Sequence, residues 1–296
     1  MPIDNMCGRK KRICIIKLGG AGDVLRTTPM LRRFAGHAVT WITQRPAAPL
    51  LNGSSFVDKI IMLPELGSIG DLVFEELYNL DEDREACVLA DKIKAGKKKG
   101  YGIRDGAYFP FDSDSRYAYE LSRDDELKFK TNKKTYQQII FEMAGLRWEG
   151  EDYILGYKPK NRVKYVVGVN HLVGDKFPNK AWPHWEKLVL MLDSVSAQVE
   201  FDTMEEYIEW INSCKVIVTG DSLGMHIALA LKKKVIILMG STSAAEIETY
   251  GRGVIITAGL PCSPCYKKGR CDNSPFCMDL ISPRRVCSEI SLIEGH

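Results

Sequence analysis

The sequence lacks the long apolar runs that membrane-spanning proteins contain. None of its stretches reaches the ~18 consecutive apolar residues that a transmembrane helix needs. The apolar stretch after the basic residues 9–12 covers only Ile13 to Leu18, which is too short for the core of a signal peptide. The sequence therefore predicts a protein of the cytoplasm.

A strong excess of either charge is also missing. Among 296 residues, Lys and Arg number 41 and Asp and Glu number 38, so the formal net charge is +3. Nucleic-acid-binding proteins usually carry a stronger basic bias, and we expect no nucleic acid as a partner. The short lysine runs at 97–99 and 232–234 keep one alternative open, a zinc-ribbon nucleic-acid binder.

The cysteines do not form the pattern of a disulfide framework. They are nine, an odd number, and follow no secretion signal, so they indicate thiols or metal ligands. Cys262, Cys265, Cys271 and Cys277 have the spacing C-x2-C-x5-C-x5-C, which is typical of a compact tetrathiolate site. We predict a structural zinc or iron ion in a Cys-rich loop at 261–278, with four reduced thiols as the alternative.

Short β-branched runs alternate with amphipathic stretches along the whole chain. This alternation is typical of α/β proteins, in which helices cover parallel sheets. The pattern restarts near residue 164 after a charged segment at 149–160. We therefore predict two Rossmann-like domains, 1–157 and 158–296, that face each other across an interdomain cleft.

The first candidate site follows the first predicted strand. The sequence Lys17-Leu-Gly-Gly-Ala-Gly-Asp23 places a glycine turn at the carboxyl end of the sheet, where open α/β folds bind ligands. Glycines allow close approach of a substrate, and Asp23 can serve as a general base. The alternative is a tight turn in which Asp23 only caps a helix.

The second candidate site is the turn at Asp221-Ser-Leu-Gly-Met-His226, between a predicted strand and a helix. The N–H groups at a helix N-terminus suit a diphosphate, and Ser222 adds a hydroxyl donor. Asp221 can cap the helix or bind a sugar hydroxyl. His226 lies in the first helical turn, although a histidine there is often purely structural.

A third polar loop runs from Asn170 to Pro183 at the end of another predicted strand. Lys176 and Lys180 can both reach a phosphate from this loop, or they are solvated loop lysines. Two further acidic pairs, Asp81 with Asp83 and Asp112 with Asp114, resemble the Asp-x-Asp of metal-dependent glycosyltransferases. Because neither pair lies in the second half, we interpret them as solvated carboxylates.

Four blocks in this order resemble glycosyltransferase family 9, the ADP-heptose heptosyltransferases. The blocks are Gly22–Pro29, Lys180–Pro183, Asp221–His226 and Gly240–Ser243. The resemblance runs from about Ile13 to Val286. It implies the two-domain fold called GT-B, with the acceptor bound mainly by the first domain and the nucleotide sugar by the second.

The resemblance further implies an inverting sugar transfer without a catalytic metal. Asp23 would deprotonate the acceptor hydroxyl, and Lys180 would stabilise the leaving diphosphate. The residues expected to hold the donor are Asn170, Lys176, Asp221, Ser222, Leu223, Gly224, His226 and Thr242. The residues expected on the acceptor side are Gly20, Gly22 and Arg26.

The partners that this activity implies are a nucleotide-diphosphate sugar and a hydroxyl acceptor. ADP-heptose is the expected donor, and a lipopolysaccharide core or other glycan, a lipid-linked acceptor and a protein side chain all stay open as acceptors. Peripheral contact with the inner membrane is left open too. One departure concerns the donor: between Trp185 and Asp221 the chain lacks the family's Gly-Gly-Pro turn and acidic residue. A non-catalytic nucleotide-sugar-binding protein is the remaining alternative.

Overall fold

The computed structural model describes residues 9–64, 72–172, 174 and 177–294. Within them the chain forms two β-sheets flanked by helices, as the alternation predicts. The strands of the first sheet are β1 (Arg12–Ile16), β2 (Ala38–Gln44), β3 (Lys59–Leu63), β4 (Val73–Asn79), β5 (Lys94–Arg104) and β6 (Ala107–Pro110). Those of the second are β7 (Tyr165–Asn170), β8 (Val195–Ala197), β9 (Cys214–Gly220), β10 (Lys234–Met239) and β11 (Gly253–Thr257).

The first sheet has the strand order β3-β2-β1-β4-β5-β6. Its first five strands are parallel, and β6 returns antiparallel to β5 through a tight turn. That turn is made by Asp105 and Gly106, which both have positive φ, the conformation that short hairpins require. The hairpin is the one element of this sheet that the sequence pattern did not predict.

The second sheet has the order β11-β10-β9-β7-β8 and is parallel throughout. In both sheets the chain reverses its direction of strand addition once, beside β1 in the first sheet and beside β7 in the second. Crevices form at such switch points outside the carboxyl ends of the strands, and ligands bind there. The two switch points therefore mark where to look for a site.

The helices lie between successive strands, except α8, which follows the last strand. They are α1 (Ala21–Thr27), α2 (Arg84–Lys92), α3 (Arg116–Leu121), α4 (Tyr136–Met143), α5 (Trp185–Val189), α6 (Met204–Asn212), α7 (Leu223–Ala230) and α8 (Pro283–Glu294). A capping box of Thr203 and Glu206 begins α6. Helix α1 begins at Ala21, directly after the glycine turn, and Pro29 lies in the 3₁₀ segment that follows it.

Apolar side chains cover both faces of each sheet. Along β1, Ile13 and Ile15 enter one buried cluster whereas Cys14 and Ile16 enter another, because successive strand residues point to opposite faces. Fully burying one such aliphatic side chain is worth ~1.5–3 kcal/mol. Among the described residues, no helix combines the length and the hydropathy that a membrane crossing requires.

The two halves of the chain also share a core. Leu25 of α1 and Leu50 of the first half belong to the same buried cluster as Met225 of α7. This contact brings the helix that follows β1 next to the helix that follows β9. The two predicted active-site turns are therefore neighbours in space.

Candidate active site

The glycine turn after β1 is held by a buried carboxylate. Asp81, which follows β4 on the neighbouring strand, accepts hydrogen bonds from the backbone N–H groups of Leu18 and Gly19. It also pairs with the ammonium of Lys17 at 2.5 Å. Asp81 is only 8% exposed, so our interpretation of it as a solvated carboxylate was wrong. Its oxygens accept the hydrogen bonds that the backbone N–H groups of the turn would otherwise donate to water.

The other acidic residues that we took as solvated are engaged as well. Asp83 caps α2, since its side chain accepts a hydrogen bond from the backbone N–H of Ala86 at 2.9 Å. Asp112 and Asp114 both pair with the buried ammonium of Lys99. These carboxylates therefore have structural partners, and Asp83 and Asp114 are also exposed to solvent, as we expected.

Asp23 lies in the first turn of α1, with Arg26 one turn along. The guanidinium donates to the Asp23 carboxylate at 2.9 and 2.8 Å, and it also stacks 3.6 Å from the centre of the Tyr136 ring. Burial raises the pKa of Asp23, but the charges of Arg26 and Lys17 outweigh it and lower the pKa to about 2. Asp23 is thus an ionised carboxylate at neutral pH, and its side chain is still 40% exposed.

Lys180 and Asp221 meet at the switch point of the second sheet. The Lys180 ammonium donates to the Asp221 carboxylate at 2.7 Å and to the Asp221 carbonyl at 3.0 Å. Burial raises the pKa of Asp221, but the charge of Lys180 dominates, so the pKa lies below its ordinary value. The structure therefore brings the polar loop at Asn170–Pro183 into contact with the turn at Asp221–His226. Lys176 lies outside the described residues.

Asn170, at the end of β7, supports the start of α7. Its amide donates to the hydroxyls of Thr219 (2.8 Å) and Ser222 (3.0 Å), and its carbonyl accepts from the Tyr207 hydroxyl at 2.5 Å. Ser222 is the N-cap residue of α7, although its side chain makes no capping hydrogen bond. The buried amide thus fixes the Ser222 hydroxyl beside the N-terminus of the helix.

Two motif glycines are required by close packing. A Cβ on Gly224 would lie 2.3 Å from the Tyr207 hydroxyl and 2.7 Å from the Asn170 amide carbon, closer than van der Waals contact allows. A Cβ on Gly22 would lie 3.0 Å from Cδ2 of His226. Only glycine allows α7 to approach α6 this closely and α1 to approach α7. Gly20 is the N-cap residue of α1, and Leu223 is the first residue of α7.

His226 is buried where α7 faces α1. Its Nδ1 lies 2.9 Å from the Tyr153 hydroxyl, and that hydroxyl accepts from the Gln137 amide at 3.2 Å. Burial lowers the pKa of His226 to about 4, and the charge of Arg26 contributes in the same direction. His226 is therefore a neutral imidazole at physiological pH.

Two cavities adjoin these groups. One has a volume of 360 Å³ and extends from Asp23 and Arg26 past Tyr136 to Glu246 of the second half. Its floor is apolar and comes largely from α3 and α4, as at Leu121. The other has a volume of 710 Å³. Its lining residues are Pro46, Pro49, Leu172, Gln198, Val199, Glu200, Phe201, Asp202, Thr203, Met204, Glu205 and Tyr207.

The turn at Gly240–Ser243, which carries Thr242, is held by the Cys-rich loop. The Ser241 carbonyl accepts from the backbone N–H groups of Cys265 (3.1 Å) and Tyr266 (2.7 Å). Thr242 itself is half-buried. The same loop holds the segment of Lys180, because the side chain of Asn179 accepts from the backbone N–H of Cys271 at 2.9 Å. Both turns therefore depend on this loop for their position.

Cys277 is within electrostatic reach of the other three loop cysteines. Burial and the thiols of Cys271, Cys262 and Cys265 all raise the pKa of Cys277. In the part of the chain that the structure describes, however, no group of three or more His, Cys, Asp or Glu side chains is arranged to hold a metal ion. The metal site at these cysteines stays a prediction.

The comparison with protein families gives one match. Residues 202–274 match the family model described as glycosyltransferase family 9 (heptosyltransferase). The match contains two of the four sequence blocks, Asp221–His226 and Gly240–Ser243. The resemblance to family 9 is confirmed. No curated protein sequence matches the chain.

Solved structures share the fold over nearly the whole chain. The E. coli heptosyltransferase WaaC with ADP has a TM-score of 0.65 and 13% identity, over 95% of this chain and 99% of that one. The E. coli ADP-heptose lipopolysaccharide heptosyltransferase II has a TM-score of 0.64 and 16% identity, over 96% and 100%. The iron-containing dodecameric glycosyltransferase TibC from enterotoxigenic E. coli H10407 has a TM-score of 0.57 and 10% identity, over 97% and 76%. Together the comparisons establish the GT-B fold and support glycosyltransferase activity.

Sequence reasoning missed several residues of this region. Asp81 was named but not recognised as buried, although its place at the carboxyl end of a predicted central strand was a usable signal. Tyr153 lies in the charged segment at 149–160, to which we assigned no function, and Tyr136 lies in a helix without a motif. For these two residues no local pattern gave a signal, since only the packing of the two halves brings them to the site.

Proposed function

We propose that the chain is an inverting glycosyltransferase that moves a heptose-like sugar from a nucleotide-diphosphate sugar, ADP-heptose, to an acceptor hydroxyl. The observation that carries this proposal is the convergence of two halves of one site. Asp23 and Arg26 lie on α1, and Lys180 pairs with Asp221, which directly precedes the N-cap of α7. His226 lies between them, where a Cβ on Gly22 would come within 3.0 Å of its ring. TibC, of similar fold, has been solved in complex with ADP-D-β-D-heptose.

In the proposed mechanism Asp23 accepts the proton of the acceptor hydroxyl. Its low pKa keeps it ionised, and its exposed edge opens into the 360 Å³ cavity, where we place the acceptor. The oxygen then attacks the anomeric carbon from the face opposite the nucleotide. Arg26 and Tyr136 fix the direction of the carboxylate, which keeps the attacking atom in line.

The leaving diphosphate collects negative charge during the transfer. We propose that Lys180 and the N–H groups at the start of α7 stabilise it, with Ser222, Leu223, Gly224 and Thr242 around the phosphates. Asn170 and Asp221 act by holding Ser222 and Lys180 in position. No catalytic metal takes part in this scheme.

The nucleoside part of the donor fits the 710 Å³ cavity, which adjoins Asn170 through Tyr207. Glu200 in this cavity provides a carboxylate for ribose hydroxyls, and the Phe201 ring provides a face for a base. They stand in the region where the chain lacks the family's Gly-Gly-Pro turn and acidic residue. In this proposal the residues of the 710 Å³ cavity bind the nucleoside, in place of the turn that the chain lacks.

We also propose that Cys262, Cys265, Cys271 and Cys277 bind one structural zinc or iron ion. Four thiols in a short loop form a suitable donor set for either metal. The influence of the other three thiols on Cys277 supports the proposal, and TibC, a protein of similar fold, is iron-containing.

We further propose that the boundary between the two domains lies near residue 157 and that the protein is located in the cytoplasm.

A thermal-shift screen of nucleotide-diphosphate sugars tests the donor assignment. A ligand that binds only the folded protein raises the free energy of unfolding, by ~2.7 kcal/mol at 100 times its Kd, and the melting temperature rises with it. We expect ADP-heptose to give the largest shift, with ADP next and GDP- and UDP-sugars below both. Equal shifts for all sugars, or none, would remove ADP-heptose as the donor.

A further inference from the structure

The hydroxyl of Tyr153 joins three parts of the molecule. It lies between the amide of Gln137 on α4 and Nδ1 of His226 on α7, with distances of 3.2 and 2.9 Å. All three side chains are buried, with Gln137 only 2% exposed and His226 5% exposed. Hydrogen bonds between groups withdrawn from water have defined donor and acceptor roles, because water cannot exchange them.

The direction of this chain of hydrogen bonds follows from its first member. The Gln137 nitrogen is a donor only, so the Tyr153 oxygen accepts there. Nδ1 of His226 is the other partner of this hydroxyl among the described residues, so donation of the O–H to Nδ1 leaves no hydroxyl hydrogen unpaired in the core. The Gln137 carbonyl has no partner among the described residues. This orientation leaves one carbonyl and one N–H of Gln137 without a partner, whereas the reversed amide would leave two N–H donors unpaired. Unpaired N–H groups are rarer than unpaired carbonyls in protein interiors, so the first orientation is favoured.

We propose that Tyr153 is a positioning residue that holds His226 as the Nε2–H tautomer and directs this N–H into the space between the Asp23 turn and the proposed donor. The inference rests on the proposed function for its ligand, although the tautomer itself belongs to the free protein. A Cβ on Gly22 would lie 3.6 Å from Nε2, so this edge of the ring faces the turn that carries Asp23. In this role His226 is a neutral hydrogen-bond donor and not a base.

The surrounding charges agree with a neutral ring. Four charged side chains act on His226: Arg26 and Asp23 from α1, and Asp221 and Lys180 beside α7. They form two opposite-charge pairs, so their effects on the ring largely cancel and burial decides its state. Tyr153 is itself fixed, since its ring packs edge-on against Tyr250 at 5.5 Å between centres.

Nitrogen-15 NMR of the histidine side chains tests the tautomer directly in the ligand-free protein. We expect His226 to show a protonated Nε2 and an unprotonated, hydrogen-bonded Nδ1 at pH 7. A proton on Nδ1 would overturn the inference whether or not the protein binds ADP. This readout needs no variant and no ligand.

The Tyr153→Phe variant tests the positioning role. Losing the hydrogen bond should shift the Nδ1 resonance of His226 and weaken ADP binding about 2- to 10-fold, the effect of one neutral hydrogen bond, with adenosine binding unchanged. Tyr250→Phe is the matched control, because its hydroxyl bonds the Glu151 carbonyl at 3.1 Å and not His226. A Tyr153→Phe protein with wild-type ADP affinity and wild-type Nδ1 resonance would overturn the proposal. If the wild-type protein binds no ADP, the proposed function fails, and the tautomer measurement still stands by itself.

Discussion

At the scale of single residues, charge pairing sets the state of the proposed base. Asp23 keeps a low pKa because Arg26 lies within hydrogen-bonding distance. A carboxylate with a pKa of about 2 is fully available at pH 7, but it is also a weaker base than an unpaired one. The pairing with Arg26 therefore lowers the basicity of Asp23 and at the same time fixes the direction of its carboxylate.

Replacing Arg26 tests this balance. In Arg26→Gln the pKa of Asp23 should rise toward its ordinary value, so the acidic limb of the kcat/KM profile should move to higher pH. The sign follows from the need for ionised Asp23, whose activity is lost as the pH falls through its pKa. In the wild type, the stabilising Asp23–Arg26 pair is likewise present above ~pH 3.9 and lost as the pH falls through about 2. An unmoved acidic limb in the variant would show that another group controls it.

Lys180→Ala should weaken binding of ADP and slow transfer, while adenosine binding changes far less. The lysine faces the proposed diphosphate, and its loss also leaves the Asp221 carboxylate unpaired, which lowers the melting temperature. Calorimetric titration with ADP and with adenosine separates the two effects. The double variant Lys180→Ala/Asp221→Asn is the control, since it should recover stability without recovering ADP affinity. If ADP and adenosine lose affinity equally, Lys180 is structural.

At the scale of elements, helix α7 depends on a glycine that contacts two other elements. Gly224→Ala should destabilise the protein by ~1–3 kcal/mol, because its Cβ would overlap Tyr207 and Asn170. Thermal unfolding measures the effect. Gly269→Ala is the control, with no atom within 4 Å of its Cβ. Adding Tyr207→Phe should restore part of the stability, and a tolerated Gly224→Ala would contradict the packing.

The Cys-rich loop is an element whose order depends on the predicted metal. Polar residues such as Lys267, Arg270 and Asp272 cannot form a core, so a bound ion would supply the order that packing does not. Elemental analysis of protein purified without chelator should find one zinc or iron per chain, and Cys262→Ser should lose both metal and thermal stability. Cys87→Ser, at a buried cysteine outside the loop, is the control for metal content. Metal far below one equivalent, with four freely titratable thiols, would refute the site.

The elements show how far sequence alone reaches. Strands β1, β2, β7 and β10 were predicted because β-branched runs bounded by glycine or polar turns leave few alternatives. The β5–β6 hairpin was missed, since its two-residue turn lies inside a polar, aromatic stretch. The burial of Asp81 was missed for another reason: a carboxylate looks solvated in sequence, and only the neighbouring strand shows that it binds the glycine turn.

At the scale of the whole molecule, the segment between the sheets holds both halves. The Asp152 carboxylate forms two hydrogen bonds with Arg252 of the second half, at 2.9 and 2.6 Å. Its backbone carbonyl accepts from Arg32 of the first half at 3.0 Å. The charged segment at 149–160 thus packs against both halves, and it also places Tyr153 beside His226. Sequence could not show this, because each contact joins residues that lie far apart in the chain.

Sugar transfer from ADP-heptose is the most direct test of the central claim. The protein is incubated with ADP-D-β-D-heptose and a panel of glycan, lipid-linked and protein acceptors, and ADP release and product configuration are measured. We predict α-linked product, with turnover lowered ~10²–10⁴-fold in Asp23→Asn at unchanged ADP affinity. Asp58→Asn, far from the proposed site, should retain wild-type turnover. Retention of the β configuration, or undiminished turnover in Asp23→Asn, would contradict the account.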